Sequence, residues 1–478
     1  MSPRRPPCRR RRLCRRPQRA HARLAIRAGR RSDASARGAE RRPPHRRQPR
    51  RPLRRALGQR GSRAGRPRSS RGDATAAAAG RRRTHASRAA GRSPCCALPP
   101  PGRDSRPRGL RHALVIGGGT LGDLTRRSGA MKILFAGAGA IGSYLGAFLT
   151  RAGQDVTLVD PWAEQVETVR AKGISVTGPH DPFEARPAIF HLHEAQRMPR
   201  DFDVAFVAMK VYDTAWAAQL VVRHLKPEGF VVAAENCWPD PIVASVAGKE
   251  RSVGLVMSKI GVASWKAGQV ERGHERGGAT GHDVFRAGEH DGTITPRTQM
   301  IAEILKVVDG AKATDNLWGE RWSKLCANAM GNPVQAMSGL GSFEIASSEV
   351  GRAITIHLAS ESARVGLALG YTIPKINGAP VEQWADAGRR ETWQALDEML
   401  TPKSASGRNW KASMAQDVAK GRPTEIDYMN GFVVDKGREK GIPTPVSAAV
   451  VETVREIDRR ERKQSPENIG LTLKRAGV

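Results

Sequence analysis

The hydrophobic positions from Met131 onward form two successive patterns. Over residues 131–312, short continuous apolar runs alternate with segments of helical spacing, which is typical of a parallel sheet covered by helices. The runs predicted as strands are 132–136, 156–159, 204–208 and 230–234. From Ala313 onward, helical segments separated by Gly and Pro replace the strands. The pattern predicts an α/β domain over 131–312 and an all-α domain over 313–478.

The first 130 residues differ in composition from the rest. They contain 38 Arg, no Lys, five acidic residues and no Phe, Tyr or Trp, whereas the remainder carries 42 basic and 41 acidic side chains. An arginine-rich segment without aromatic residues cannot bury enough apolar surface to fold, so we expect a disordered extension over 1–130. Because no Met occurs between Met1 and Met131, we interpret it as translated upstream DNA that is not part of the native protein. An RNA-binding arm or a transit peptide is the alternative.

The charge and cysteine distributions bound the function of the folded body. Nearly all of the formal net charge of +34 lies in the extension, so the body is not predicted to bind nucleic acid. Only Cys237 and Cys326 fall in the body, which excludes a disulfide framework and fits a cytoplasmic protein. No apolar run reaches the roughly 20 residues that span a bilayer. We expect no metal site either, and we interpret His191 and His193 as surface histidines.

A glycine-rich turn follows the first predicted strand. Its sequence satisfies the G-x-G-x-x-G pattern of dinucleotide-binding Rossmann domains, and a helix and a second strand come after it. In such a turn the backbone approaches the pyrophosphate, which lies at the helix N-terminus. The predicted cofactor contacts are Gly137, Ala138, Gly139, Ala140, Ile141 and Gly142. A second match to the pattern, at 117–122, has no room behind it for a crossover helix and strand, so we interpret it as accidental.

Asp160 ends the second predicted strand and bears on the choice of cofactor. A carboxylate there accepts hydrogen bonds from the adenosine ribose hydroxyls and repels a 2′-phosphate, which favours NADH over NADPH. Arg170 or Lys172 folding back would favour NADPH instead. The alternative interpretation is an exposed loop aspartate without a role in binding.

Two further polar residues follow predicted strands. Lys210 comes after the strand at 204–208, and Asn236 comes after the strand at 230–234. Since ligands of open parallel sheets bind beyond the carboxyl ends of the strands, both are candidate cofactor or substrate contacts. Ordinary solvated loop residues are the alternative.

The second half carries a polar stripe on a predicted helix. Lys324, Asn328 and Asn332 are spaced by four residues, so they project from one side of a helix. Asn is a poor helix former, which argues against an ordinary exposed stripe. Further on, Ser413 lies on a helix that stops at Gly421, and Thr424 is predicted to cap a helix that begins at Glu425.

Together these segments resemble the ketopantoate reductase (2-dehydropantoate 2-reductase) family over nearly all of the body. The resemblance rests on the glycine turn, the Lys324-x3-Asn328-x3-Asn332-Pro333 segment and the Ser413 to Asp427 segment. It implies a Rossmann NAD(P)-binding domain, a helical catalytic domain and reduction of a small 2-oxo acid in the cleft between them. It leaves a homodimer open.

The resemblance also implies roles for individual residues. Lys324 would donate a proton to the substrate carbonyl oxygen. Asn328 and Asn332 would bind substrate oxygens, Ser413 would hold the carboxylate end, and Lys210, Asn236 and Glu425 would line the nicotinamide side.

This chain departs from the family at three points. Glu235-Asn236-Cys237 replaces the usual Gln-Asn-Gly, and Ser342 stands where a third Asn is usual. Asp160 lies where the NADPH-dependent members tend to carry a basic residue. A dehydrogenase for another 2-oxo or 3-hydroxy acid therefore stays open as an alternative, as does a non-catalytic dinucleotide sensor, although a sensor would not need Lys324.

Overall fold

The computed structural model describes residues 130–404 and 409–478, which belong to one compact unit. The predicted extension, apart from Ala130, and the second glycine pattern at 117–122 lie outside the described residues. No helix among the described residues is long and apolar enough to span a membrane.

An eight-stranded sheet forms the centre of the first domain. Its order is β12-β11-β8-β7-β6-β1-β2-β5, and the strands run parallel except that β11 and β12 point the opposite way. A smaller sheet of order β4-β3-β10-β9 lies beside it. The strands are β1 Lys132–Ala136, β2 Asp155–Asp160, β3 Ile174–Thr177, β4 Phe183–Ala185, β5 Ala188–His191, β6 Phe202–Val207, β7 Leu225–Ala233, β8 Ser252–Met257, β9 Val262–Ala263, β10 Gln269–Arg272, β11 Phe285–Gly288 and β12 Ala311–Thr314.

Among the described residues, five helices cover this sheet and ten build the second domain. Those of the first are α1 Ala140–Arg151, α2 Ala163–Lys172, α3 Thr214–Val222, α4 Asp240–Ala247 and α5 Pro296–Leu305. Those of the second are α6 Leu317–Ala329, α7 Asn332–Ser338, α8 Ser342–Ser347, α9 Glu349–Ala368, α10 Val381–Ala385, α11 Arg390–Leu400, α12 Ser413–Ala419, α13 Asn430–Lys440, α14 Pro445–Asp458 and α15 Glu467–Ala476. The predicted fold class, a Rossmann domain followed by an all-α domain, is confirmed.

The boundary between the domains lies slightly later than the sequence predicts. Strand β12 crosses position 313 and pairs with β11 as far as Thr314, so the sheet extends past the predicted end at 312. The helical domain then starts with α6, whose N-terminus is capped by Asn316 accepting from the Gly319 N–H at 3.1 Å.

The central strands are apolar on both faces because helices cover both sides of the sheet. Residues of β1 and β6 pack on each side, and the rings of Phe135 and Phe206 stack 4.7 Å apart within one of these cores. The neighbouring strands β2, β1, β6 and β7 are all parallel, so their carboxyl ends share one edge. That edge carries the glycine turn, Asp160, Lys210 and Asn236, as the sequence predicts.

Two local predictions for the helical domain are wrong. The helix that carries Lys324 ends at Ala329, and Asn332 opens the separate helix α7, so the three stripe residues do not share one continuous helix. Met330 and Gly331 lie between the two helices, and Pro333 has no N–H to donate to the Ala329 carbonyl, so the first helix does not continue through it. Thr424 caps no helix, because its hydroxyl donates to Asp458 at 2.6 Å and only a single 3₁₀ turn follows it.

Candidate active site

The glycine turn after β1 is shaped for close backbone approach. Gly137 has φ +104°, and a Cβ there would lie 2.7 Å from the Ala208 carbonyl oxygen. A Cβ on Gly142 would lie 1.9 Å from the Gly137 oxygen. At Gly139, by contrast, a Cβ would meet no atom within 4 Å. The turn is therefore tightly packed at Gly137 and Gly142 and open at Gly139.

The opening coincides with the start of α1. Gly139 is the N-cap residue of this 12-residue helix, and no side chain caps it. The backbone N–H groups of its first turn and the positive end of its dipole therefore face the space in front of Gly139. This space fits the pyrophosphate of a dinucleotide.

Polar side chains brace the turn from behind. The Ala138 N–H donates to Asp160 Oδ2 at 2.5 Å, and the Ala138 oxygen accepts from Ser143 Oγ at 2.7 Å and Gln165 Nε2 at 2.9 Å. Both polar groups of Ala138 are thus held in place. Ser143 and Gln165 are fully buried and were not predicted from the sequence.

Asp160 is not the exposed loop aspartate of the alternative interpretation. It is only 7% exposed, and its Oδ1 accepts from the Trp162 N–H at 2.8 Å. Burial raises its pKa, while the Trp162 and Ala138 N–H groups oppose the shift. The carboxylate therefore fixes the glycine turn in addition to any contact with ribose.

Neither basic residue considered beside Asp160 folds back toward it. The guanidinium of Arg170 binds Glu167, Glu194 and the Ile189 carbonyl, and Lys172 is exposed at the end of α2. A basic group approaches from the other domain instead, because the guanidinium carbon of Arg422 lies 5.5 Å from the Trp162 ring centroid.

Lys210 joins two carboxylates of the helical domain. Its ammonium donates to Asp417 Oδ2 and to Glu425 Oε2, the latter at 3.2 Å, and Glu425 Oε1 accepts from the Val211 N–H at 3.0 Å. Although burial lowers it, Glu425 and Asp417 raise the pKa of Lys210 above its usual range. The resemblance places Lys210 and Glu425 on the same side of the cleft but assigns no role to Asp417, which is the second carboxylate on Lys210.

Two amide contacts mark the rest of the cleft. Asn328 Nδ2 donates to Asn236 Oδ1 at 3.3 Å across the two domains. Asn332 Nδ2 donates to Ser413 Oγ at 3.3 Å within the helical domain. Despite the break after α6, the four residues predicted to bind substrate form two hydrogen-bonded pairs.

Lys324 differs from the other charged groups of the cleft. It is partly buried and has no carboxylate within ion-pair distance among residues 130–404 and 409–478. Burial and the like charges of Arg286 and Arg321 lower the pKa of Lys324 to about 8. An amine of this kind holds a proton at neutral pH and releases it readily.

The departures at 235, 237 and 342 have visible structural effects. Glu235 Oε2 accepts from the Thr214 hydroxyl at 2.9 Å, whereas its Oε1 is buried without a hydrogen-bond partner in the described residues. Cys237 adopts φ +63°, a left-handed conformation that glycine adopts without strain. Ser342 Oγ accepts from the Trp410 N–H at 3.2 Å.

Family models match both halves of this architecture. The ketopantoate reductase PanE/ApbA model covers residues 133–281, and the ketopantoate reductase PanE/ApbA C-terminal model covers residues 316–458. The chain belongs to the ketopantoate reductase family. The resemblance stated from the motifs is therefore confirmed.

Individual proteins agree with this family assignment. A 2-dehydropantoate 2-reductase of Archaeoglobus fulgidus is 27% identical over 334 residues, which span 68% of this chain and 98% of that enzyme. A PanE/ApbA family ketopantoate reductase from Ralstonia eutropha has a TM-score of 0.56 at 23% identity, covering 70% of this chain and all of that one. D-mandelate dehydrogenase in complex with NADH and anilino(oxo)acetate has a TM-score of 0.56 at 21% identity, covering 69% and 99%. These structural likenesses extend over both domains of the fold.

Proposed function

We propose that this protein reduces the 2-oxo group of 2-dehydropantoate to a hydroxyl group, with NADH or NADPH as the hydride donor. Membership of the ketopantoate reductase family supports the reaction class, an NAD(P)-dependent oxidoreductase acting on a CH–OH group. The observation that carries the proposal is the unpaired, partly buried amine of Lys324. A protein that only sensed the dinucleotide would not need it.

The residues of the cleft would divide the chemistry between them. A bound dinucleotide supplies the hydride to the substrate carbon. The Lys324 ammonium gives its proton to the carbonyl oxygen, so that its N–H bond breaks as the O–H bond forms. Asn236 and Asn328 bind that end of the substrate through their amides, and Asn332 with Ser413 holds the carboxylate.

We expect NADH to be the preferred cofactor. Asp160 is buried at the end of β2, and each of its oxygens keeps a lone pair for a ribose hydroxyl beyond the backbone N–H that it binds. Arg422 would attract a 2′-phosphate, but it is exposed and its charge is screened by solvent. The buried charge of Asp160 is therefore expected to decide the cofactor preference in favour of NADH.

Another 2-oxo acid is the second candidate substrate. It is favoured by Ser342, since a serine engaged with the Trp410 backbone offers the substrate no amide where the family usually has Asn. Initial rates of the full chain with 2-dehydropantoate and with an aromatic 2-oxo acid, each with NADH and with NADPH, test both candidates.

Two lysine variants are compared as a control for these assays. Lys324→Met should abolish turnover, whereas Lys306→Met, which changes an exposed lysine paired with Glu303, should leave it unchanged. Absence of turnover with every 2-oxo acid in the wild-type protein would refute the proposed function. A homodimer and a cytoplasmic location remain predictions.

A further inference from the structure

Glu320 and Lys324 have the spacing of a helical ion pair but do not form one. They lie four residues apart on α6 with Glu on the N-terminal side, the order in which Glu and Lys pair most favourably. In the structure Glu320 Oε2 instead lies 3.1 Å from Nε of Arg286. Both side chains of this Arg286–Glu320 pair are nearly buried, at 12% and 13% exposure.

Arg286 is held in place from the sheet, independently of α6. It lies on β11 opposite Val256 of the antiparallel strand β8. Its Nη1 donates to Ser258 Oγ at 2.7 Å, and Ser258 in turn lies 2.9 Å from His282 Nε2. The Glu320 carboxylate therefore meets a guanidinium that the sheet already fixes, in an ion pair at Nε that lacks hydrogen-bond geometry.

We infer that Arg286 is a positioning residue that binds the Glu320 carboxylate and so leaves the Lys324 amine free to give up its proton. The inference rests on the proposed role of Lys324 as proton donor. It assigns a function to a strand residue that lies outside the motifs of the cleft.

The charges around Lys324 agree with this arrangement. Arg286 faces it from β11, Arg321 from its own helix and Cys237 from the loop after β7. Burial and the two arginines lower the pKa of Lys324 to about 8. Burial raises the pKa of the Cys237 thiol well above its usual value, so this thiol is uncharged in the same pH range. A carboxylate released from Arg286 onto Lys324 would raise this pKa.

Within the part of the chain that the structure describes, three charged side chains face Glu320. Arg286 and Lys312 face it as cations and Asp283 as an anion. Burial raises the pKa of Glu320, and the two cations oppose the shift. Because Lys312 and Asp283 form a pair of their own at 3.4 Å, Arg286 is the cation whose loss would free the carboxylate.

The test measures the pKa of Lys324 in the cofactor-free protein. The pH dependence of acetylation of the Lys324 amine by acetic anhydride is followed by mass spectrometry of the peptide that contains it. In the wild-type protein the midpoint should lie near pH 8. In Arg286→Met it should rise by about one pH unit or more, because Glu320 turns to Lys324. In Arg286→Met/Glu320→Gln the rise should be less than half as large.

Two further variants separate this effect from general loss of packing. Arg297→Met cuts another partly buried Arg–Glu pair, that with Glu289, and should leave the midpoint unchanged. Arg286→Lys keeps a cation for Glu320 and should restore the wild-type midpoint. If Arg286→Met does not fold, Arg286→Gln replaces it in the comparison.

Three results would overturn the inference. They are an unchanged midpoint in a folded Arg286 variant, equal shifts in the single and double variants, and an equal shift in Arg297→Met. Since the midpoint is measured without substrate or cofactor, an enzyme inactive on every 2-oxo acid would refute the proposed function without altering this comparison.

Discussion

Lys210, just beyond β6, forms an ion pair with Asp417, which lies 207 residues later on α12 of the helical domain. Glu425 adds a second carboxylate to the same ammonium and accepts the Val211 N–H as well. The side chains of Asp417 and Glu425 are 5% and 3% exposed. This buried Lys210 cluster joins the two domains beside the glycine turn.

Removing the Lys210 ammonium should destabilise the folded protein. Lys210→Met leaves two buried carboxylates facing each other, so we expect a loss of about 3–5 kcal/mol in the free energy of unfolding. Asp417→Asn should cost less, since Glu425 still balances Lys210. Urea unfolding of the full chain measures both, with Lys226→Met in the half-exposed Lys226–Asp203 pair as the control. Equal losses in Lys210→Met and Lys226→Met would contradict this account.

The proton donor and the positioning amides should affect different kinetic constants. Lys324→Ala should lower kcat by roughly 100-fold or more, as loss of a general acid does, while the dinucleotide still binds at the glycine turn. Asn328→Ala should mainly raise KM, because an amide that contacts substrate before and during the reaction contributes uniform binding. Steady-state kinetics and cofactor titration distinguish the two. Near-normal kcat in Lys324→Ala would remove Lys324 as the acid.

Cofactor preference should respond to two residues in opposite directions. The wild-type protein should bind NADH more tightly than NADPH. Arg422→Gln should widen this difference, because it removes a cation whose charge acts at Asp160. Asp160→Asn should narrow the difference in affinity between NADH and NADPH. It should also weaken the binding of both cofactors, since Asn cannot accept both backbone N–H groups. Calorimetric titration with NADH and NADPH gives the ratio, and a wild-type ratio that favours NADPH tenfold would contradict the role of Asp160.

The buried Glu235 should make stability depend on pH. Burial raises its pKa to about 8 against an ordinary value of 4.5, while the Thr214 hydroxyl opposes the shift. The folded state therefore binds more protons between these values, and its contribution to stability falls as pH rises from about 4.5 to about 8. Glu235→Gln, which cannot ionise, should be more stable than the wild type at pH 8 by on the order of 1–3 kcal/mol and similar to it near pH 4.5. Thermal unfolding at both pH values checks this, and a constant difference would count against it.

Sequence reasoning located the part of the cleft that depends on local pattern. The G-x-G-x-x-G turn, Lys210 and Asn236 follow apolar strands, and parallel pairing brings the ends of such strands to one edge. It failed where the helical period is interrupted, since Met330 and Gly331 separate Asn332 from the helix that carries Lys324.

Residues that act through distant partners were not found. Asp417 and Arg422 lie within the Ser413 to Asp427 segment, and Arg286 lies outside every motif. Each acquires its importance from a side chain on another element, which the sequence does not show. Glu320 shows the difficulty best, because its spacing predicts a pair with Lys324 whereas the structure gives it to a strand residue. Tertiary contacts override local preference here.

The bracing of the glycine turn has a consequence for how this protein is made. Gln165 donates to the Ala138 oxygen and accepts the Gly268 N–H at 2.8 Å, and Gly268 lies 103 residues further along the chain between β9 and β10. A growing chain has the whole turn once Gly142 is synthesised, but it gains this brace only after the small sheet has closed over α2. The complete set of contacts behind the turn is thus available only to a chain that has been synthesised past Gly268.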